Sequence, residues 1–164
     1  MKIEIRPQKI GEAARYYEIL SNSNFEYFSV KPNSVEEEKR ILRLNRVNQK
    51  KKSEFNYSIF CNDLHVGAVG VRIHPVYSYI GEVGCFVDER YWNKGIASAA
   101  VKKIEEFIFE KLSIKRLEMI IATPNKASEK VALKNGYKRE GTMRERLLID
   151  ANYFDCYLYA KIMK

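Results

Sequence analysis

The chain has 164 residues, 46% of them hydrophobic, and a formal net charge of +8; that length buries one sizeable core but not two. No run approaches the roughly 18 apolar residues a membrane-crossing helix needs, and the charged start Met1-Lys-Ile-Glu-Ile-Arg-Pro7 does not read as a secretory signal, which places the chain in the cytoplasm. Cys61, Cys85 and Cys156 are an odd number without Cys-x-x-Cys spacing and with only two histidines beside them, so they read as small buried hydrophobes and neither a disulfide framework nor a metal site is expected.

In chain order, the patterning predicts a strand over 2–6, helices over 8–20 and 34–49, and strands over 54–61, 64–73 and 79–87. A helix over 95–111, a strand over 115–122, a helix over 126–134 and strands near 137–147 and 153–162 follow. Phe60-Cys-Asn-Asp-Leu64 reads as a hairpin, since Asn-Asp suits a tight turn between β-prone flanks. Ile96, Ala100, Ile104, Phe107, Ile108 and Leu112 recur at helical spacing, giving the seventh element one buried face. Leu117–Ala122 reads as a buried strand, Asn125 as the cap of the next helix, and Asn135-Gly136 as its stop. No internal repeat or linker divides residues 1–164, so a single domain is expected.

The positive charge is spread unevenly. Gln49-Lys-Lys-Lys52 is the densest basic run and reads as a solvated connection, while Lys102, Lys103, Lys111, Lys115 and Arg116 decorate the helix over 95–111 and the approach to the next strand. No nucleic-acid module accompanies this charge, so nucleic acid is not the expected partner. His65 and His74 have no carboxylate or serine partner nearby in the sequence and read as surface residues.

The segment Arg90-Tyr-Trp-Asn-Lys-Gly-Ile-Ala-Ser98 joins the apolar run Glu82-Val-Gly-Cys-Phe-Val87 to the helix that follows. The first amides of a helix lack internal acceptors and lie at the positive end of its dipole, so the turn suits an anion. By itself it also fits an ordinary strand-to-helix connection. It matches neither the phosphate loop of nucleoside triphosphatases nor the three-glycine dinucleotide fingerprint.

Gly95-Ile96-Ala97 closes a six-position pattern that resembles the pyrophosphate loop of the GNAT superfamily of acetyl-coenzyme A-dependent N-acetyltransferases, with Trp92 at the position that is Gln or Arg in the family and Asn93 at a usual glycine. A second stretch, Asn125-Lys-Ala-Ser128 followed by Lys134-Asn-Gly136-Tyr137, is similar to the branch of ribosomal-protein N-terminal (alanine or serine) acetyltransferases and their small-molecule relatives, with Tyr for Phe. Asp155 and Tyr157 resemble that branch's terminal Tyr-x-Asp pattern and are read as structural. The resemblance implies the GNAT fold, an α/β (α+β) architecture with a mixed, mostly antiparallel central sheet flanked by helices. It also implies that Phe86 and Val87 offer backbone groups to pantetheine, that Trp92, Asn93, Lys94, Gly95, Ile96, Ala97 and Ser98 hold the pyrophosphate, and that Asn125 and Lys134 add contacts to the cofactor. Acetyl-coenzyme A is then the cosubstrate and no metal takes part.

Acetyl transfer needs a neutral amine. For a lysine-like amine of pKa about 10.4 the cost of deprotonation at neutral pH is on the order of 4 kcal/mol, and for an α-amine near 8 about 1.4 kcal/mol. Glu82, which matches a family glutamate that works through water, is the expected base. Alternation puts Glu82, Gly84 and Phe86 on one face of the strand, in an apolar run, and Val83, Cys85 and Val87 on the other. Ala132 stands where many relatives carry the tyrosine acid, so Ser128, one turn from Asn125, is the expected aid to the leaving thiolate or simply a helix-bonded serine. The aromatic segment Phe25–Asn33 lies where relatives build part of the acceptor pocket. The acceptor expected is a protein N-terminus of ribosomal type or a small amine such as a polyamine, amino acid or aminoglycoside. A coenzyme A-binding module without turnover and a basic RNA-associated protein are the other readings, and whether the chain is a monomer or a homodimer stays open.

Overall fold

The computed structural model describes residues 1–22 and 24–163. Seven strands, β1 (Ile3–Pro7), β2 (Glu54–Cys61), β3 (Leu64–Ile73), β4 (Ile80–Val87), β5 (Arg116–Ala122), β6 (Lys138–Ile149) and β7 (Asn152–Ile162), form one sheet in the order β1-β2-β3-β4-β5-β7-β6. Every pairing is antiparallel except that of β4 with β5. Four helices flank it: α1 (Ala13–Leu20), α2 (Val35–Lys50), α3 (Ile96–Lys111) and α4 (Lys126–Lys134).

Alternation along the strands divides the side chains between two faces. Val69, Val71, Val83, Val87, Leu117 and Ile121 bury against Ile96, Ala100, Val101, Ile104 and Ile108 of α3. Truncating a side chain such as Ile104 to alanine costs about 2–5 kcal/mol in a core of this kind. On the opposite face a smaller cluster joins Ala13 and Tyr16 of α1, Leu42 of α2 and Ala68 of β3, with Val35 and Phe86 packed against it.

Local chemistry explains the boundaries. Asn62 and Asp63 both adopt left-handed backbone angles (φ 47° and 64°), as the tight turn between β2 and β3 requires. The expected helix over 8–20 starts later, as a 3-10 turn over Ile10–Glu12 leading into α1. The last two strands run longer than expected, and β6 is interrupted by irregularities between Arg139 and Gly141 and between Met143 and Leu147. Asp155 serves this hairpin: its carboxylate accepts the Glu145 N–H at 2.9 Å and its carbonyl accepts the Thr123 N–H at 2.9 Å, a structural role, as the sequence suggested.

One irregularity positions the site. The parallel pairing of β4 and β5 covers only Ile80 with Arg116, Gly81 with Leu117 and Glu82 with Glu118. Beyond Glu82 the strands part, β4 staying with β3 and β5 with β7. Val83 to Val87 therefore border a wedge that opens toward the start of α3.

Candidate active site

Past Val87 the chain makes a short 3-10 turn over Glu89–Tyr91 and then a left-handed passage, with Asn93 at φ 60° and Gly95 at φ 77°. Gly95 is the N-cap of α3 and offers no side chain to cap it. The N–H groups of Asn93 through Ser98 donate to no protein acceptor among the described residues, and the helical ladder begins with the Ala99 N–H on the Gly95 carbonyl at 3.1 Å. Six consecutive amides at the positive end of a 16-residue helix form an anion cradle.

Side chains brace this loop. The Trp92 indole N–H donates to the Val87 carbonyl, and its ring meets Phe25 edge-on at 5.8 Å. Trp92 thus holds the loop against the end of β4. Lys94 folds back, its ammonium donating to the Arg90 carbonyl at 3.1 Å. Lys134, at the end of α4, reaches across instead: a Cβ on Gly95 would lie 3.8 Å from its Nζ. That places a second cation beside the amides.

Asn125 caps α4 by accepting the Ser128 N–H at 3.1 Å, as expected of an N-cap. The Ser128 hydroxyl is half-buried and makes no hydrogen bond to the helix or to any other described residue, so helix bonding does not occupy it. Ala132 is fully buried in the main core.

Glu82 lies where β4 and β5 separate, half-buried. Its surroundings differ from the apolar run expected, because its cross-strand neighbours are Arg72 on β3 and Glu118 on β5. Both are engaged elsewhere: Arg72 pairs with Glu54 at 2.8 Å, and Arg116 pairs with Glu118 at 2.6 Å. On the other face, burial pushes the Cys85 thiol up to about 12.

The segment between α1 and α2 roofs the face that carries Glu82. Phe28 meets Phe86 at 5.2 Å, Phe25 meets Phe86 at 6.1 Å, and Tyr27 meets Phe154 of β7 at 5.8 Å, all edge-to-face. Phe86 therefore packs under this segment through its side chain while its backbone belongs to the wedge.

A family model described as the acetyltransferase (GNAT) domain matches residues 2–138. The chain belongs to the GNAT family. It is 31% identical over 94 residues to the L-amino acid N-acetyltransferase AaaT of Escherichia coli (strain K12), covering 57% of this chain and 58% of that protein. To the ribosomal-protein-serine acetyltransferase of the same organism it is 29% identical over 108 residues, 65% of this chain and 60% of that protein. The match thus spans less than two thirds of either relative's length. Among solved structures, the ribosomal L7/L12 alpha-N-protein acetyltransferase RimL in complex with coenzyme A superposes with a TM-score of 0.90 over 99% of this chain and 95% of that one, at 22% identity, which establishes the fold.

For a GNAT domain, the residues present fit coenzyme A: six free amides and Lys134 suit a diphosphate, and the strand edge over Val83–Val87 suits an amide-bearing arm. Two cavities, of about 700 Å³ against α2 and about 540 Å³ along α3 and α4, are lined by residues other than these amides.

Asp88 is a functional support that sequence reasoning missed. It is buried at the end of β4, caps the following turn by accepting the Arg90 N–H at 3.0 Å, and pairs with Arg90 and with Arg15 of α1. Burial works against its charge, but hydrogen bonds from Arg90 and Arg15 outweigh it and hold the carboxyl at about 2. An acid at a strand end, before a turn, was the available signal. His65 also departs from expectation: it is half-buried, its Nε2 lies 3.0 Å from the Gly67 carbonyl, and its ring sits 4.4 Å from Tyr16 and stacks at 5.4 Å on Phe60. Burial lowers its pKa.

Proposed function

We propose that this protein is an N-acetyltransferase, moving an acetyl group from acetyl-coenzyme A to a primary amine. The observation that carries the reading is the run of six unpartnered amides, Asn93 to Ser98, at the open end of the β4–β5 wedge. Bound there, acetyl-coenzyme A supplies the activated acyl group. The amides and Lys134 would hold its diphosphate, and backbone groups at Phe86 and Val87 together with the Asn125 side chain would hold its pantetheine arm.

Glu82 accepts the acceptor amine's proton through water, and the nearby Arg72 and Glu118 keep its setting polar and hydrated. Ser128, with an uncommitted hydroxyl, donates to the leaving sulfur. A thiol of pKa about 8.5 departs without strong acid help, so this second role is the smaller one.

The resemblance to ribosomal-protein acetyltransferases supports a protein N-terminus as acceptor, and the amino-acid relative supports a small amine. A thiol-release assay with acetyl-coenzyme A and a panel of amines, including N-terminal peptides and small amines, tests the reading. Amine-dependent release is the expected result. Coenzyme A binding without release for any amine would reduce the protein to a binding module.

A further inference from the structure

Nearly all of the chain's net positive charge sits in one stretch. The chain carries 29 Lys and Arg against 21 Asp and Glu, and seven of those cations but none of the acids fall in residues 39–52, which leaves 22 cations against 21 acids elsewhere. The stretch is the greater part of α2 and the turn after it. Lys39 pairs with Glu36 at 2.5 Å, whereas Arg40, Arg43, Arg46, Lys50, Lys51 and Lys52 are exposed and form no ion pair among the described residues.

The cavity of about 700 Å³ against α2 lies at this stretch. Arg46 and Lys50 line it from the helix and Lys9 from the segment after β1, and no Asp or Glu is among the described residues that line it. Glu12, near Lys9 in sequence, is engaged elsewhere: its carboxylate accepts the Lys9 N–H at 3.1 Å and the Ser58 hydroxyl at 2.6 Å. Arg46 and Lys50 stand one helical turn apart, where like charges repel. An anion between them offsets that repulsion.

The polar wall of the cavity is fixed from behind. A side-chain N–H of Gln8 donates to the Tyr16 hydroxyl at 2.9 Å, and one of Asn45 donates to the Gln8 side-chain oxygen at 3.0 Å. Tyr16 is 1% exposed and its hydroxyl shares a further hydrogen bond with Ser58 at 2.7 Å. Each amide group carries two N–H donors, so Gln8 and Asn45 each keep one for a ligand. Pro7, Ile10 and Leu42 add apolar surface to the same cavity.

These features select a ligand class. The volume is that of a small-molecule site and exceeds what a lone inorganic anion fills, and the apolar surface asks for an organic portion. A single-stranded nucleic acid normally stacks its bases on aromatic side chains, and none lines this cavity. We propose that the cavity is a second binding site, for a phosphorylated small molecule whose phosphates meet Lys9, Arg46 and Lys50 and whose organic portion lies on Pro7, Ile10 and Leu42. None of these residues belongs to the donor groove, and the site does not depend on acetyl transfer being the activity.

The test is isothermal titration calorimetry with ATP and with inorganic tripolyphosphate as probes, at physiological ionic strength, with and without saturating coenzyme A. ATP is expected to bind saturably with coenzyme A present, and more tightly than tripolyphosphate. Arg46→Gln/Lys50→Gln should weaken ATP binding by about tenfold or more, the scale of a lost charge-assisted contact. Arg43→Gln/Lys51→Gln removes the same charge from the same helix outside the cavity and should weaken it by less than about twofold, since screening suppresses action at a distance. Both doubles should bind coenzyme A as the wild type does. No saturable ATP binding, equal loss in the two doubles, tripolyphosphate binding as tight as ATP, or tighter binding of a short oligouridylate than of either probe would each overturn the assignment. Failure of coenzyme A to bind would strike the proposed function and leave this site standing.

Discussion

The proposed donor groove and the proposed acceptor face are built in opposite ways. The donor groove is made of backbone: six consecutive amides, a glycine at φ 77° and a strand edge, all from residues 82–98. The proposed acceptor face is made of side chains from distant segments, with Phe25, Tyr27 and Phe28 above, Phe86 and Glu82 from β4, and Phe154 from β7.

If that division is right, substitutions should separate cleanly into turnover, donor binding and architecture. Glu82→Gln is expected to lower kcat by about 10²–10⁴-fold, the usual contribution of a general base, with the KM for acetyl-coenzyme A nearly unchanged in steady-state assays. Gly95→Val forces a β-branched residue into a left-handed conformation, and strain of about 1–3 kcal/mol should weaken coenzyme A binding by calorimetry while circular dichroism shows the same fold. Ser128→Ala should cost about tenfold in turnover, the scale of one lost hydrogen bond, and leave cofactor affinity alone; unchanged turnover would take the hydroxyl out of the mechanism.

The smallest effect concerns the brace common to both regions. Asp88 has a folded pKa depressed to about 2 from an ordinary 3.8. Its contribution to stability is therefore complete above 3.8 and is lost as pH falls toward about 2. Asp88→Asn should be less stable than the wild type at neutral pH and show a shallower fall in Tm across that acid window, as followed by thermal unfolding.

The same contrast explains what could be read from the sequence. The start of α3, the Asn62-Asp63 hairpin, the Asn125 cap and the left-handed Gly136 (φ 82°) are local, and a few neighbouring residues encode each of them. The turn that opens α3 was legible for that reason. The pairing of Arg15 with Asp88 joins residues 73 apart, and no local pattern announces it. His65 read as surface because the rings that bury it, Tyr16 and Phe60, come from other elements. The polar setting of Glu82 was not legible, since Arg72 and Glu118 become its neighbours only once the sheet has formed.

The central claim is that free amides at the start of α3 grip the diphosphate of coenzyme A. A titration of ¹⁵N-labelled protein with coenzyme A, followed amide by amide in NMR spectra, tests it most directly. The largest shifts are expected at Asn93 through Ser98, with smaller ones along Val83–Val87. Saturable binding that leaves those six amides unmoved would contradict it.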